Sequence, residues 1–250
     1  MNVLGIETAT AVSSVAIGGE RGIVASASLA RGKGHAEFVA PAVKQIALDA
    51  GIELRSLTGV AVGLGPGLFT GMRVGVATAK TMAQALRLPI VGIPSLDVLA
   101  YGVRHSSRLI CAAIDARRGE VFAAFYRQVP GGIQRLSDYR AWPPDQLAAE
   151  VESRSQDTLF VGDGALLYKD RLPHARSEYA SYAHAFPTAG ALVELSLPRF
   201  VREDNDALLE LEPLYVRKTD AEIAWEKRGV VILRPDRVKI PKRERPEERG

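Results

Sequence analysis

The chain has 250 residues, 47% of them hydrophobic, enough apolar material for one large domain or two modest ones. A single cysteine, Cys111, excludes an internal disulfide and any multi-cysteine metal site, and its apolar surroundings suit a buried structural thiol. The net charge of +3 is unevenly spread: Lys227 to Gly250 holds nine basic and four acidic residues, so the 226 residues before it net to −2.

Asn2 to Ile6 reads as a strand and Val12 to Ile17 as its hairpin partner, with Glu7-Thr8-Ala9-Thr10 between them. A third strand over Gly22 to Ser28 would complete the opening of a ribonuclease-H-like half. An acidic residue followed by Thr at such a hairpin can hold a phosphate or its metal; equally, Thr hydroxyls can cap local backbone there. Met1 leads straight into the first strand, with no signal-peptide pattern. No apolar run approaches the roughly 20 residues of a membrane helix. The expectation is a soluble, cytoplasmic protein.

Ala36 to Ala50 has helical spacing, with Phe38, Ala42, Val43 and Ile46 on one face, Pro41 bending its entry and Gly51 as C-cap. His35, just before it, has no second His or Cys at i+3 or i+4, which argues against a metal role. The apolar run from Leu57 to Leu64 is a buried strand. It opens into Gly63-Leu64-Gly65-Pro66-Gly67-Leu68-Phe69-Thr70-Gly71-Met72-Arg73-Val74-Gly75, and Met72 to Leu86 is helical.

A strand-to-helix glycine turn can present backbone N–H groups to an anion. No Gly-Lys-Ser/Thr follows, so it is not a P-loop, and the glycine spacing is one residue too long for a dinucleotide fingerprint. A tight turn with close packing competes with phosphate binding. Gly71, Gly75, Ala79 and Ala83 recur every four residues and form a small-residue ridge along the helix. Glycine inside a helix costs about 1 kcal/mol relative to alanine, so such a ridge needs a close neighbour, either a partner protein or an element of the same chain.

Pro89 to Ile93 is a short strand, and Ser95 is the expected N-cap of a helix over Asp97 to Gly102. A polar stretch around Tyr101 to Ser107 divides a first lobe, residues 1–104, from a second, residues 105–225. The second begins with strands over Arg108 to Ile114 and Glu120 to Arg127, joined by Asp115-Ala116-Arg117-Arg118-Gly119. Asp115 and Arg117 could be substrate groups or a local ion pair. A strand over Ile133 to Arg140, a helix over Pro144 to Val151 and a strand over Thr158 to Val161 follow. That last strand ends at a second glycine turn, Gly162-Asp163-Gly164-Ala165, and the order suggests an internal duplication. A helix over Thr188 to Glu203, kinked or ended by Pro198, would pack back at the lobe junction. Glu212 to Arg217 is a short extended segment. Residues 226–250, with Pro235, Pro241 and Pro246 among the charges, read as a solvated, disordered tail. The tail is either a solubilising terminus or an RNA-phosphate contact without aromatic residues for base stacking.

Four segments carry a resemblance. Gly65-Pro66-Gly67-Leu68-Phe69-Thr70-Gly71-Met72-Arg73-Val74-Gly75 resembles the G-P-G-S-F-T-G-L-R-I-G signature of the TsaB (YeaZ) family. Leu4 to Thr10 resembles that family's opening hairpin, Ile114 to Phe122 its D-A-R-x-G-E-V-Y segment, and Pro213 to Arg217 its P-x-Y-x-R end. The resemblance spans about residues 1–225. It implies an α/β ASKHA fold (the actin, sugar kinase and Hsp70 class) of two ribonuclease-H-like lobes, with no catalytic residue and no metal of its own.

It further implies a non-catalytic scaffold in tRNA N6-threonylcarbamoyladenosine synthesis. The partners would be a TsaD-like transferase, which modifies N6 of adenosine 37, and a TsaE-like ATPase, with tRNA bound through the complex and a homodimer formed when the chain is alone. The expected partner interface is Phe38, Ala42, Val43 and Ile46 with Gly71, Met72, Gly75, Ala79 and Ala83. Glu7, Thr8, Gly65, Gly67 and Asp115 would line any ATP or ADP site at the cleft or subunit junction. TsaD-like proteins carry an H-x-E-G-H metal pair after a V-x-N strand, and Gly92 to Val98 lacks both histidines. Glu7 replaces the family's usual Asp, and Leu68 its usual Ser. The alternative is an autonomous small-molecule kinase or ATPase of the same fold.

Overall fold

The computed structural model describes residues 1–30 and 34–217, and the sequence expectation for residues 226–250 lies outside them. The opening hairpin forms as Val3–Glu7 (β1) and Val12–Gly19 (β2), antiparallel with Glu7 opposite Ser14. Gly22–Ala30 (β3) adds to its outer side. Gly59–Gly63 (β4) and Ile90–Ile93 (β5) join in parallel, giving the order β3-β2-β1-β4-β5.

Period-two alternation divides this sheet between two cores. Leu4, Ile6, Val15, Ile17, Val60 and Val62 face helices His35–Asp49 (α1) and Phe69–Leu86 (α2). Val3, Ala16, Ala61 and Val91 face the opposite way, toward Leu192, Val193 and Phe200 of helix Ala189–Val201 (α6). Truncating any of the larger of these to alanine would cost about 2–5 kcal/mol. Helix α1 closes as expected at Gly51, whose φ of +64° lets the Ile52 N–H return to the Ala47 carbonyl at 2.9 Å.

The second sheet repeats the plan. Leu109–Arg117 (β6) pairs antiparallel with Glu120–Val129 (β7), and Gly132–Arg135 (β8) continues outward. Thr158–Val161 (β10) and Ser177–Tyr179 (β11) run parallel on the other side. Read from the hairpin edge, β8-β7-β6-β10-β11 matches β3-β2-β1-β4-β5 strand for strand. Helices Pro144–Arg154 (α4) and Asp163–Leu167 (α5) cover one face, and Ser95–Tyr101 (α3) covers the other. Thus the helix that ends the first half lies on the second sheet, and α6, which ends the second half, lies on the first. Both halves belong to one compact unit, Met1–Val216.

One expected strand needs correction. The strand over Ile133 to Arg140 is two strands, β8 and Arg140–Trp142 (β9), and both pair with β7. The chain folds between them because Leu136 N–H donates to the Phe125 carbonyl and Ser137 Oγ accepts the Phe125 N–H. Of the two readings of Pro198, a kink or an end, the helix does not end there, since α6 continues to Val201. Glu212 to Arg217 joins no strand ladder among the described residues, and within it the Leu214 N–H donates to the Leu64 carbonyl at 2.8 Å.

Candidate functional site

The turn after β1 and the glycine loop after β4 meet at the carboxyl ends of adjacent parallel strands. Glu7 is fully buried there. Its Oε1 accepts the Ala9 N–H at 2.8 Å, and its Oε2 accepts the Ser95 hydroxyl at 2.9 Å. Ser95 Oγ in turn accepts the Gly65 N–H at 3.1 Å, and the Ser95 N–H donates to the Gly65 carbonyl at 2.6 Å. Two further links close the seam: Leu68 N–H to the Ala9 carbonyl at 2.6 Å, and Thr8 Oγ1 to the Gly71 carbonyl at 2.7 Å. Burial drives the Glu7 carboxyl up to about 7, although hydrogen bonds from Ala9, Ser95 and Thr8 favour its charged form.

This seam explains the glycine spacing. A methyl group at Gly63 would overlap the Glu7 carboxylate, one at Gly67 the Ala9 carbonyl, one at Gly71 the Thr8 carbonyl, and one at Gly75 the Thr8 hydroxyl. Each glycine therefore makes room for the β1–β2 turn of the same chain. At Gly65, φ is +91°, a conformation that favours glycine. Leu68 sits at the N-cap of α2 without a side-chain hydrogen bond, so the helix start gains nothing from the residue that stands where Ser was expected.

The structure thus brings Glu7, Thr8, Gly65 and Gly67 together, and engages them with one another. Asp115 stands apart, at the end of β6 in the other sheet. Its Oδ1 accepts the Arg117 N–H at 2.9 Å, and its Oδ2 pairs with the Arg117 guanidinium at 3.1 Å, the local ion pair of the two sequence readings. The Asp115 N–H donates to Asp163 Oδ1 at 3.1 Å. Burial, with the neighbouring Asp115 charge adding to it, raises the Asp163 carboxyl to about 6. Among the described residues, no hydrogen bond or ion pair joins Asp115 to Glu7 or Thr8.

The residues expected at a partner interface lie mostly inside the chain's own core. Ala79 is 0% exposed, Ala83 and Val43 1%, Met72 3% and Ile46 4%, and Ala42 is likewise buried. Gly71 and Gly75 face Thr8. The ridge packs inside the chain: its two glycines meet the hairpin turn, and Ala79 and Ala83 lie in the core shared with α1 and the sheet. Of the nine, Phe38 keeps a partly exposed ring, beside the exposed Glu37, Pro41 and Gln45.

Sequence reasoning missed two site residues. Ser95 has the look of a helix N-cap, but it is the first residue of α3 and its hydroxyl goes to Glu7. Ser13 Oγ lies 2.6 Å from His35 Nδ1, both groups buried, and burial holds the imidazole below its usual range. Nothing local in the sequence links either pair. Among the described residues, no three His, Cys, Asp or Glu side chains group so as to hold a metal ion. No helix among them is long and apolar enough to cross a membrane.

Two lobes of repeated strand order, each opening with three antiparallel strands, define an ASKHA-fold protein. The ethanolamine utilization protein EutJ from Carboxydothermus hydrogenoformans shares this fold at 10% identity and a TM-score of 0.52, covering 78% of this chain and 90% of its own. Residues 22–225 match the family model described as TsaD, tRNA N6-adenosine threonylcarbamoyltransferase. The chain belongs to that family, on its TsaB (YeaZ) branch.

On that branch, the tRNA threonylcarbamoyladenosine biosynthesis protein TsaB of Escherichia coli is 29% identical over 230 residues, covering 91% of this chain and 98% of the relative. Its Bacillus subtilis counterpart is 29% identical over 226 residues, covering 90% and 98%. YeaZ from Pseudomonas aeruginosa superposes with a TM-score of 0.76 at 28% identity, covering 86% of this chain and 99% of its own.

Proposed function

We propose that this chain serves tRNA threonylcarbamoyladenosine biosynthesis as a non-catalytic subunit that docks and activates a TsaD-like transferase. Its relatives are named for that pathway. The observation that carries the non-catalytic part is the closed seam. The Glu7 carboxylate, the Thr8 hydroxyl and the Gly65 and Leu68 N–H groups are all spent on intramolecular hydrogen bonds. A phosphate-binding loop needs such groups free and aimed outward. Any ATP or ADP would then lie at the junction with the partner subunit.

The docking surface in this reading is the solvent side of α1 and α2, which pack side by side. It offers Phe38, Pro41 and the 72% exposed Leu48 on α1, with Arg73 and Thr81 on α2. The same surface would support a homodimer when the chain is alone, so the two assemblies compete. The TsaE-like ATPase and tRNA join through the complex, in the cytoplasm.

The test is reconstitution with a TsaD-like protein, a TsaE-like protein, tRNA and threonylcarbamoyl-adenylate. Modified adenosine should form only when this chain is added. Equal modification without it would overturn the proposal. ATP turnover by the chain alone, abolished in Glu7→Gln, would establish the autonomous enzyme instead. Leu48→Asp and Phe38→Asp should abolish co-purification with the transferase while leaving the melting temperature within a few degrees. Undiminished association would remove the α1–α2 face from the proposal.

A further inference from the structure

A cavity of about 320 Å³ opens between α3, β5, β8 and α6, on elements other than the β1–β2 turn and the glycine loop. Its volume is at the lower end of the range that holds a single small molecule. Asp97 lines it from α3. Both tyrosine hydroxyls that reach this carboxylate use one oxygen: Tyr126 Oη donates to Oδ1 at 2.7 Å and Tyr139 Oη to the same Oδ1 at 2.8 Å. The other oxygen, Oδ2, makes no hydrogen bond among the described residues. It is also absent from the buried polar atoms left without a partner, so it reaches open space. One oxygen is locked by two donors while its twin faces the cavity.

A cation lines the same space. Arg135 from β8 lays its guanidinium 4.0 Å over the Tyr139 ring and forms no ion pair with a carboxylate among the described residues. It is near enough to favour the charged form of Asp97, yet burial outweighs it and leaves that carboxyl above its ordinary range. The second arginine in the lining, Arg199, is already committed: Nε to Asp204 at 3.0 Å, Nη2 to Asp206 at 3.0 Å and Nη1 to the Gly92 carbonyl at 3.3 Å. The remaining wall is apolar, from Ile93, Ile133 and Leu195.

We propose that this cavity binds a free α-amino acid with an aliphatic side chain. The ammonium group meets Asp97 Oδ2, the carboxylate meets Arg135, and the side chain packs on Ile93, Ile133 and Leu195. One acidic and one basic group match a zwitterion, and an ion with only one of the two charges would leave the other unmatched in a partly desolvated site. The bound molecule would touch α3 and β5 on one side and β8 on the other, so it would brace the two halves. The site is independent of the subunit role proposed above.

The probe is L-leucine, titrated calorimetrically into the full chain beside two truncated analogues, 3-methylbutylamine and 4-methylpentanoate. L-leucine should bind and each analogue should bind at least tenfold more weakly. Asp97→Asn keeps an acceptor for both tyrosines and should weaken L-leucine at least tenfold. Arg135→Ala, at an exposed position on β8, should do the same. No binding of L-leucine at tens of millimolar would overturn the proposal. So would equal binding of either analogue, or an affinity unchanged in both variants.

Discussion

The Ser95 hydroxyl donates to Glu7 Oε2 at 2.9 Å across 88 positions of sequence, and so ties the start of α3 to the end of β1. Ser95 Oγ also accepts the Gly65 N–H, so this one hydroxyl joins hairpin, glycine loop and helix. Ser95→Ala leaves a buried carboxylate oxygen and a backbone N–H without partners. The expected cost is about 1–3 kcal/mol, read from urea unfolding. A loss below experimental error would mean that the seam is held by the hairpin contacts alone.

Glu7 makes stability depend on pH in an unusual direction for a carboxylate. In the folded chain it keeps its proton up to about 7, whereas its ordinary value is 4.5. Between those values the folded state binds more protons than the unfolded one, so this group's contribution is full below 4.5, falls as pH rises to about 7, and is flat beyond. The gap corresponds to a loss on the order of 3 kcal/mol. His35, held below its usual range, acts oppositely: its contribution is lost as pH falls below the ordinary imidazole value. Comparison of the wild type with Glu7→Gln cancels the histidine. The stability difference between them should shift toward the variant as pH rises from 4.5 to 7, and a pH-independent difference would refute the assignment.

At Gly75 two effects oppose. Alanine improves helix propensity by about 1 kcal/mol. Its methyl group, however, would overlap Thr8 Oγ1, which is fixed by its bond to the Gly71 carbonyl. Overpacking costs typically 1–3 kcal/mol, so Gly75→Ala should be net destabilising. Thr8→Ala removes the obstructing atom, and the double variant should be more stable than the sum of the two single effects predicts. Additive behaviour would show that the helix moves away from the hairpin instead of meeting it.

The two-lobed plan was legible because strands, helices and glycine turns recur in the same order along the chain, and each announces itself over a few residues. The ion pair of Asp115 and Arg117 was legible as one of two readings because the two residues are neighbours. The glycine ridge was legible as a demand for a close neighbour. Which neighbour was not, since Thr8 lies more than sixty positions upstream and has no patterned signal of its own. The same limit hid Ser95. A serine ahead of a helix looks alike whether its hydroxyl caps the helix or crosses to another strand. The division of Ile133 to Arg140 into β8 and β9 depended on Ser137 reaching the Phe125 N–H, again a contact between strands.

Asp206 anchors the last described segment. Its Oδ2 accepts the Gly92 N–H at 2.7 Å, its Oδ1 pairs with Arg199 Nη2 at 3.0 Å, and its own N–H donates to the Ile90 carbonyl at 2.9 Å. From there the chain runs along β5 and α2, where Lys80 Nζ donates to the Leu209 and Leu211 carbonyls at 3.1 Å. Tyr215 then accepts Arg73 Nε at 2.9 Å, and its ring centroid lies 5.7 Å from that of Phe69. Buried Leu211 is the apolar anchor between these polar ties. Asp206→Ala strips a partner from Gly92 and from a half-buried guanidinium that keeps Asp204. The expected loss is about 1–3 kcal/mol of global stability. The more specific outcome is local: limited proteolysis within residues 204–216 should accelerate more than global unfolding does, because local opening draws on the weakest contacts first. Equal acceleration of both would mean that this segment opens only when the whole unit unfolds.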